Sequence, residues 1–330
     1  MHLKAFAAIT AAAAVIALPL TGANAEELKL RFGHVGEPGS LLEASANHFT
    51  ACTNPKLKGK AEVEVYGSSQ LGNDQELLQK LKLGQVTFAL PSTVMSSVTP
   101  EFGVFEMPYI IQNRDHMRKV RDQVVMTTLQ AAVKKKGYRI IGVWENGFRD
   151  ITNNIRPINT PEDLKGIKLR TPKGEWRVKM FKLYGANPSP MAFSEVFTAL
   201  KTGVMDGQEN PLAQIYSAKF QEVQKYLSIT GHVYTPAYVV VSDVQFAKLP
   251  EDVQKVLVSC AEENSEWVYQ DAAKLDDELL GKIKASSIKI NQADKQAFIA
   301  ASKPIYDEFS KTVEGGADLI KAVQDLAPKS

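Results

Sequence analysis

No set of nucleophile and base is present in this chain. There is no Gly-x-Ser-x-Gly elbow, no Walker loop and no His-Glu-x-x-His, which sets aside the common hydrolases, P-loop enzymes and zinc peptidases. Histidine is sparse. His2, His34, His48, His116 and His232 are scattered without paired metal-ligand spacing, so no metal centre is expected. Neither sign of charge is in excess. Lys and Arg total 39, Asp and Glu 37, a formal net charge of +2, which gives no reason to expect nucleic acid or an anionic membrane surface. Cys52 and Cys260 are the only cysteines and form no Cys-x-x-Cys pair, which argues against a redox or zinc motif. In an exported protein they could close one disulfide over a long loop. Both also fit helical segments, where free buried thiols are common. Beyond residue 25 no run approaches the ~20 apolar residues of a spanning helix. Internal repeats are also missing.

The first 25 residues read as a secretory leader. His2 and Lys4 make a short basic start, Ala5 to Leu20 is apolar, and Ala23-Asn24-Ala25 places small residues where a signal peptidase reads. Cleavage is expected between Ala25 and Glu26. The remainder is long enough for two domains, with the 44% apolar and 23% charged residues of a globular protein.

The mature chain alternates strand and helix signals. Leu28 to Gly33 and Ala61 to Tyr66 alternate as strands, and Val86 to Leu90 is a short apolar strand. Between them, Ser40 caps a helix over Leu41 to Cys52, and Gly84 stops a second over Asp74 to Leu83. This β-α-β-α-β order favours a parallel sheet with helices on its faces. The spacing of Gly33, Gly36 and Gly39 is not a dinucleotide fingerprint. Arg114 to Lys135 reads as a helix, Tyr138 to Trp144 as a strong strand, and Glu145-Asn146-Gly147-Phe148 as a turn. A second β/α unit starts near Asp150, after which the chain becomes Asn- and Pro-rich. Tyr234 to Val241 is β-rich, and a helix from Glu251 to about Leu279 is long enough to span two lobes.

Two arginines are candidates for chemistry. Arg149 follows a strand through the expected turn, and Arg170 ends the strand begun at Ile167. Ligands of open α/β sheets sit at the carboxyl ends of strands, and the planar fork of Arg suits a carboxylate.

The motifs around these arginines are specific. Trp144-Glu-Asn-Gly-Phe-Arg149, Pro161-Glu-Asp-Leu-Lys-Gly-Ile-Lys-Leu-Arg170, Gly185-Ala-Asn-Pro-Ser-Pro-Met-Ala-Phe-Ser194 and Asp206-Gly-Gln-Glu-Asn-Pro211, with Gln70-Leu-Gly-Asn73 before them, resemble the DctP-type solute-binding proteins of TRAP (tripartite ATP-independent periplasmic) transporters. The resemblance implies an α/β, two-lobed periplasmic-binding-protein fold. Each lobe would hold a mainly parallel sheet, with crossing strands and a long helix spanning both. Lobe I is expected over 26–148 plus about 236–275, and lobe II over 149–235 plus about 276–330, with the ligand cleft between them. It further implies a periplasmic, non-enzymatic protein without a cofactor, which hands an organic acid to a membrane permease driven by an ion gradient. By motif, Arg170 grips the ligand carboxylate, Arg149 is a second polar contact, Phe193 packs on the ligand, and Asn210 supplies an amide. Glu37, Ser92 and His232 are candidates from placement alone, and Trp176 fits either the pocket or a helix core. Glu145, Asn146 and Glu209 favour a sugar acid such as a hexuronate over a C4-dicarboxylate or an aromatic acid. A binding protein of an ATP-driven transporter, an exported hydrolase and a ligand presenter for a sensor kinase are the competing classes.

Overall fold

The computed structural model describes residues 27–328; the expected leader at 1–25 lies outside them. Nine strands form one hydrogen-bonded sheet among the described residues: β1 (Leu28–Gly33), β2 (Ala61–Tyr66), β3 (Phe88–Ala89), β4 (Tyr138–Asn153), β5 (Lys168–Thr171), β6 (Asn187–Pro190), β7 (Gly207–Pro211), β8 (Tyr226–Ser242) and β9 (Lys289–Gln292). The order is β2-β1-β3-β8-β4-β7-β5-β6, with β9 on β8.

The two long strands carry the chain between halves. β3 meets β8 near its end, at Val240, whereas β7 meets β4 only over Arg149–Asn153 and β9 meets β8 over Tyr226–Ile229. Thus β1, β2 and β3 belong to one lobe, β5, β6, β7 and β9 to the other, and β4 and β8 cross between them. Pairs β1–β2, β1–β3, β5–β6, β5–β7 and β8–β9 are parallel. Antiparallel contacts all involve β4 or β8.

The turn expected at Glu145–Phe148 is instead the middle of β4. Its backbone pairs with β8, with register shifts between Ile140 and Gly142, Glu145 and Gly147, and Arg149 and Ile151. These irregularities bend the strand without ending it. Gly147 has φ +125, a backbone region closed to side chains, which explains the glycine at the crossing.

Helix signals are local and hold well. Ser40 Oγ accepts from Glu43 N at 3.2 Å and starts the helix Leu41–Leu57. Asn73 and Glu76 form a reciprocal capping box for the helix Asp74–Lys82, fixing its first turn beside the cleft. The long helix runs Glu251–Lys284. Its first half packs on Leu41–Leu57 and on β4, and its second half reaches the helix Leu212–Ser217 of the other lobe. Trp144 Nε1 donates to Ala261 O at 2.9 Å and ties this helix to β4.

The cysteines, left open by the sequence, form a disulfide between Cys52 and Cys260, with Cα atoms 5.8 Å apart. It joins the helix Leu41–Leu57 to the long helix within lobe I. The last helix, Gly316–Asp325, packs on the helix Lys303–Thr312 and on Pro100–Glu106 and Arg121–Leu129, and His116 Nε2 meets Val323 O at 2.7 Å.

Candidate functional site

A cleft between the lobes holds two communicating compartments. The outer one, about 200 Å³, is bordered by Asn73, Asp74, Lys173, Met191 and Glu195. The inner one, about 40 Å³, is bordered by Ser92, Thr93, Asn146, Asn210 and Gln214. Asp74 and Val94 from one lobe and Arg170, Pro172 and Phe193 from the other line both.

Arg170 stands on β5, opposite Gln208 of β7 and Ser189 of β6. The strand pairing on both sides fixes its backbone, and its side chain is buried. Nε and Nη2 donate to Met191 O at 3.0 and 2.6 Å. Among the described residues it has no ion-pair partner. Burial, reinforced by nearby Arg149, lowers its pKa to about 9, with Glu209 and Asp74 opposing. A buried, unneutralised guanidinium at a cleft is an anion site.

Arg149 differs. It is also buried and borders the inner compartment, yet it is already neutralised. Its Nε and Nη2 grip the Glu209 carboxylate, Nη2 to Oε1 at 3.0 Å, and Nη2 also meets Asn210 Oδ1 at 3.0 Å. Arg177 Nη1 reaches the same carboxylate at 2.7 Å, and His232 Nε2 lies 3.3 Å from it. Burial alone would raise the Glu209 pKa; Arg149 and Arg177 outweigh it and hold the carboxyl well below the usual range. Asn210 Nδ2 donates to Gln208 Oε1 at 2.6 Å, so its amide is fixed at the cleft wall.

The structure therefore brings Arg170, Arg149, Phe193, Asn210 and Ser92 to one cleft. Glu37 borders a separate cavity of about 530 Å³ on the far side of Phe193, and its carboxylate accepts from Ser68 at 2.8 Å. Two candidates lie elsewhere. Trp176 is in the core, its ring 5.0 Å from Phe309, and Gly103 has no room for a Cβ because of it. His232 is fully buried, with Nδ1 on Thr230 Oγ1 at 2.7 Å, and burial lowers its pKa. Both sit on inward faces, where packing decides their contacts. The two glutamates that favoured a sugar acid do not reach the cleft. Glu209 holds arginines, and Glu145 is paired by Arg114 at 2.7 Å.

Asp74 lines both compartments without any motif to mark it. Burial pushes its carboxyl up to about 7, with Arg170 opposing. Its only sequence signal was its place after the Asn73 cap. Thr93 and Gln214 carried no motif at all.

The model of the bacterial extracellular solute-binding proteins, family 7 (DctP), matches residues 32–312. The chain belongs to this family. It is 34% identical over 300 residues to the 2,3-diketo-L-gulonate-binding periplasmic protein YiaO of Escherichia coli, covering 90% of this chain and 92% of that one. Among solved structures, a TRAP periplasmic solute-binding protein of Sulfurospirillum deleyianum with bound succinate is 36% identical, with TM-score 0.86 over 91% of this chain and 99% of that one. The sugar acid binding protein DctPAm of Advenella mimigardefordensis, in complex with galactonate, is 32% identical, with TM-score 0.87 over 91% and 97%. As a DctP-family member this chain is a TRAP-type solute-binding protein for organic acid anions, with the two-lobed α/β fold of those structures. No helix among the described residues is long and apolar enough to cross a membrane.

Proposed function

We propose that this chain, exported by a leader cleaved after Ala25, captures a sugar acid in the periplasm and delivers it to a TRAP permease. Arg170 clamps the ligand carboxylate, Phe193 covers one face, and Asn210 and Ser92 supply neutral polar contacts. Arg149 acts through Asn210, which it holds at 3.0 Å. Trp176 and His232 support the core of the second lobe. The ligand leaves unaltered, in keeping with the missing nucleophile and base.

The observation that carries this reading is Arg170: buried in the cleft, charged, and without an ion pair. An incoming carboxylate recovers there the hydration it loses, through charge-assisted hydrogen bonds worth roughly 1.5–3 kcal/mol each. The lobes divide at 148/149, where β7 joins β4, and near 235/236, between the β9 and β3 contacts of β8, and closure about these crossings buries the ligand. A second reading is favoured by Lys173, which borders the outer compartment and could meet a second carboxylate. In that case the ligand is a C4-dicarboxylate.

A thermal-shift screen against sugar acids and dicarboxylates tests both. A ligand at 100 times its dissociation constant adds ~2.7 kcal/mol. Sugar acids are expected to produce the largest shifts. If no acid shifts the transition, the proposal fails.

A further inference from the structure

The polarity of Gln214 is set by two backbone carbonyls on the crossing strands. Ser92 Oγ donates to Pro236 O at 2.7 Å, and Thr235 Oγ1 donates to Gly147 O at 3.4 Å. A carbonyl only accepts, so each hydroxyl has given up its proton and presents a lone pair. Both lone pairs face Asn146, whose Nδ2 donates to Thr235 Oγ1 at 3.2 Å and to Ser92 Oγ at 3.4 Å. The Asn146 carbonyl oxygen must then point the other way, where Gln214 Nε2 donates to it at 3.4 Å. Gln214 is left with its own carbonyl oxygen free.

That oxygen is buried and has no hydrogen-bond partner among the described residues. Gln214 is 3% exposed and lines the inner compartment. Across the compartment, from the other lobe, the Thr93 hydroxyl is also buried and unpaired, on a residue 8% exposed. A buried polar atom without a partner is unfavourable, because it has lost its hydration and gained nothing in return. Both residues line this one small compartment, and Thr93 also borders the space beside Glu106 and Tyr238; two unpaired polar groups at one compartment mark a missing group. Gln214 requires a donor, and Thr93 can supply or take a proton.

The compartment they line is about 40 Å³, room for a small group such as a hydroxyl. It adjoins Arg170, which also lines the outer compartment. Its one other cation, Arg149, is neutralised by Glu209. A substituent entering it is neutral, donates a hydrogen bond, and sits beside the clamped carboxylate.

We propose that Gln214 and Thr93 form a hydroxyl-reading subsite, which selects acids carrying a hydroxyl on the carbon next to the clamped carboxylate. The proposal rests on the carboxylate site at Arg170 and deepens it. It holds for a sugar acid or a dicarboxylate alike, because the selected feature is the 2-hydroxyl. Since one reading group comes from each lobe, the hydroxyl bridges them on closure.

Calorimetry with matched pairs tests it: D-gluconate against 2-deoxy-D-gluconate, and both enantiomers of malate against succinate. In at least one pair the 2-hydroxy acid is expected to bind about tenfold or more tightly, since the deoxy analogue strands both buried groups. In Gln214→Met the ratio within that pair is expected to fall toward one, with Thr93→Val reducing it independently. The unliganded melting temperature of each variant shows that the fold is intact. Equal affinities within every pair for the unaltered protein would overturn the proposal, and an ordered water would then be the occupant. A ratio that survives both substitutions together would also overturn it. If no acid binds at all, the carboxylate reading falls first and this subsite with it. Binding of acids without discrimination overturns the subsite alone.

Discussion

Arg170 Nη2 donates to the carbonyl of Met191 at 2.6 Å. A neutral carbonyl orients the guanidinium and leaves its charge uncompensated. The side chain is thus held ready for an anion at the expense of the unliganded fold. Replacing Arg170 by Met is expected to act with opposite signs on stability and on binding. Affinity for the acid falls at least about a hundredfold, because a buried anion is stranded at roughly 3–5 kcal/mol. The unliganded melting temperature stays level or rises, because the desolvated charge is gone. Calorimetry and a thermal melt on the same sample check both. Unchanged affinity would remove Arg170 from the site.

Glu209 behaves in the reverse way. It gathers Arg149, Arg177 and His232 on one buried carboxylate, and it does not border the cleft. Glu209→Gln removes the counter-charge of Arg149 and leaves Arg177 only the more distant Glu106, at 4.0 Å. The expected loss is about 3–5 kcal/mol of folding stability, read as a lower urea midpoint. A variant as stable as the parent would show that the cluster contributes little.

Asp74 links binding to pH. Burial raises its folded pKa to about 7, well above the usual carboxylate range. A raised carboxyl favours the fold fully below about pH 4, and that contribution is lost as pH rises through about 7. Buried Glu106, Glu145 and Asp150, also raised to about 7 by burial, act in the same direction. Beside an incoming carboxylate, a neutral Asp74 is tolerated and an ionised one repels. Affinity is therefore expected to fall between about pH 6 and about pH 8, and Asp74→Asn should flatten the profile. An equal slope in the variant would assign the dependence to another group.

The Cys52–Cys260 bond spans 208 residues of sequence but lies within lobe I. In the chain-entropy account such a loop gives about 5 kcal/mol, near the upper end of what disulfides deliver. Replacing both cysteines by Ala should lower the melting temperature markedly while acid affinity stays within about twofold, since neither residue borders the cleft. Loss of binding in the folded variant would mean that the bond also positions the site.

Much of the architecture was legible because its signals are local. Ser40 and Asn73 announce their helices by capping chemistry, β1 and β2 alternate in sequence, and the ordered motifs from Trp144 to Pro211 identify the family. The crossing strand is not legible at Glu145–Phe148, because Asn-Gly carries a turn signal wherever it occurs. Only pairing with a distant strand keeps it extended.

The sequence by itself determined the class of protein, the anion-seeking character of Arg170 and the helix that bridges the lobes, all from residue type and spacing. Tertiary structure decided which polar groups are already satisfied. Arg149 and Arg170 look alike as strand-end arginines, yet one meets Glu209 and the other meets only a peptide carbonyl. Trp176 and His232 read as pocket candidates until packing turned them inward. Gln214 and Thr93 had no signature, because a free lone pair in a cleft is a property of the whole hydrogen-bond network. Charge is written into a chain residue by residue; its compensation is set by contacts that only folding brings together.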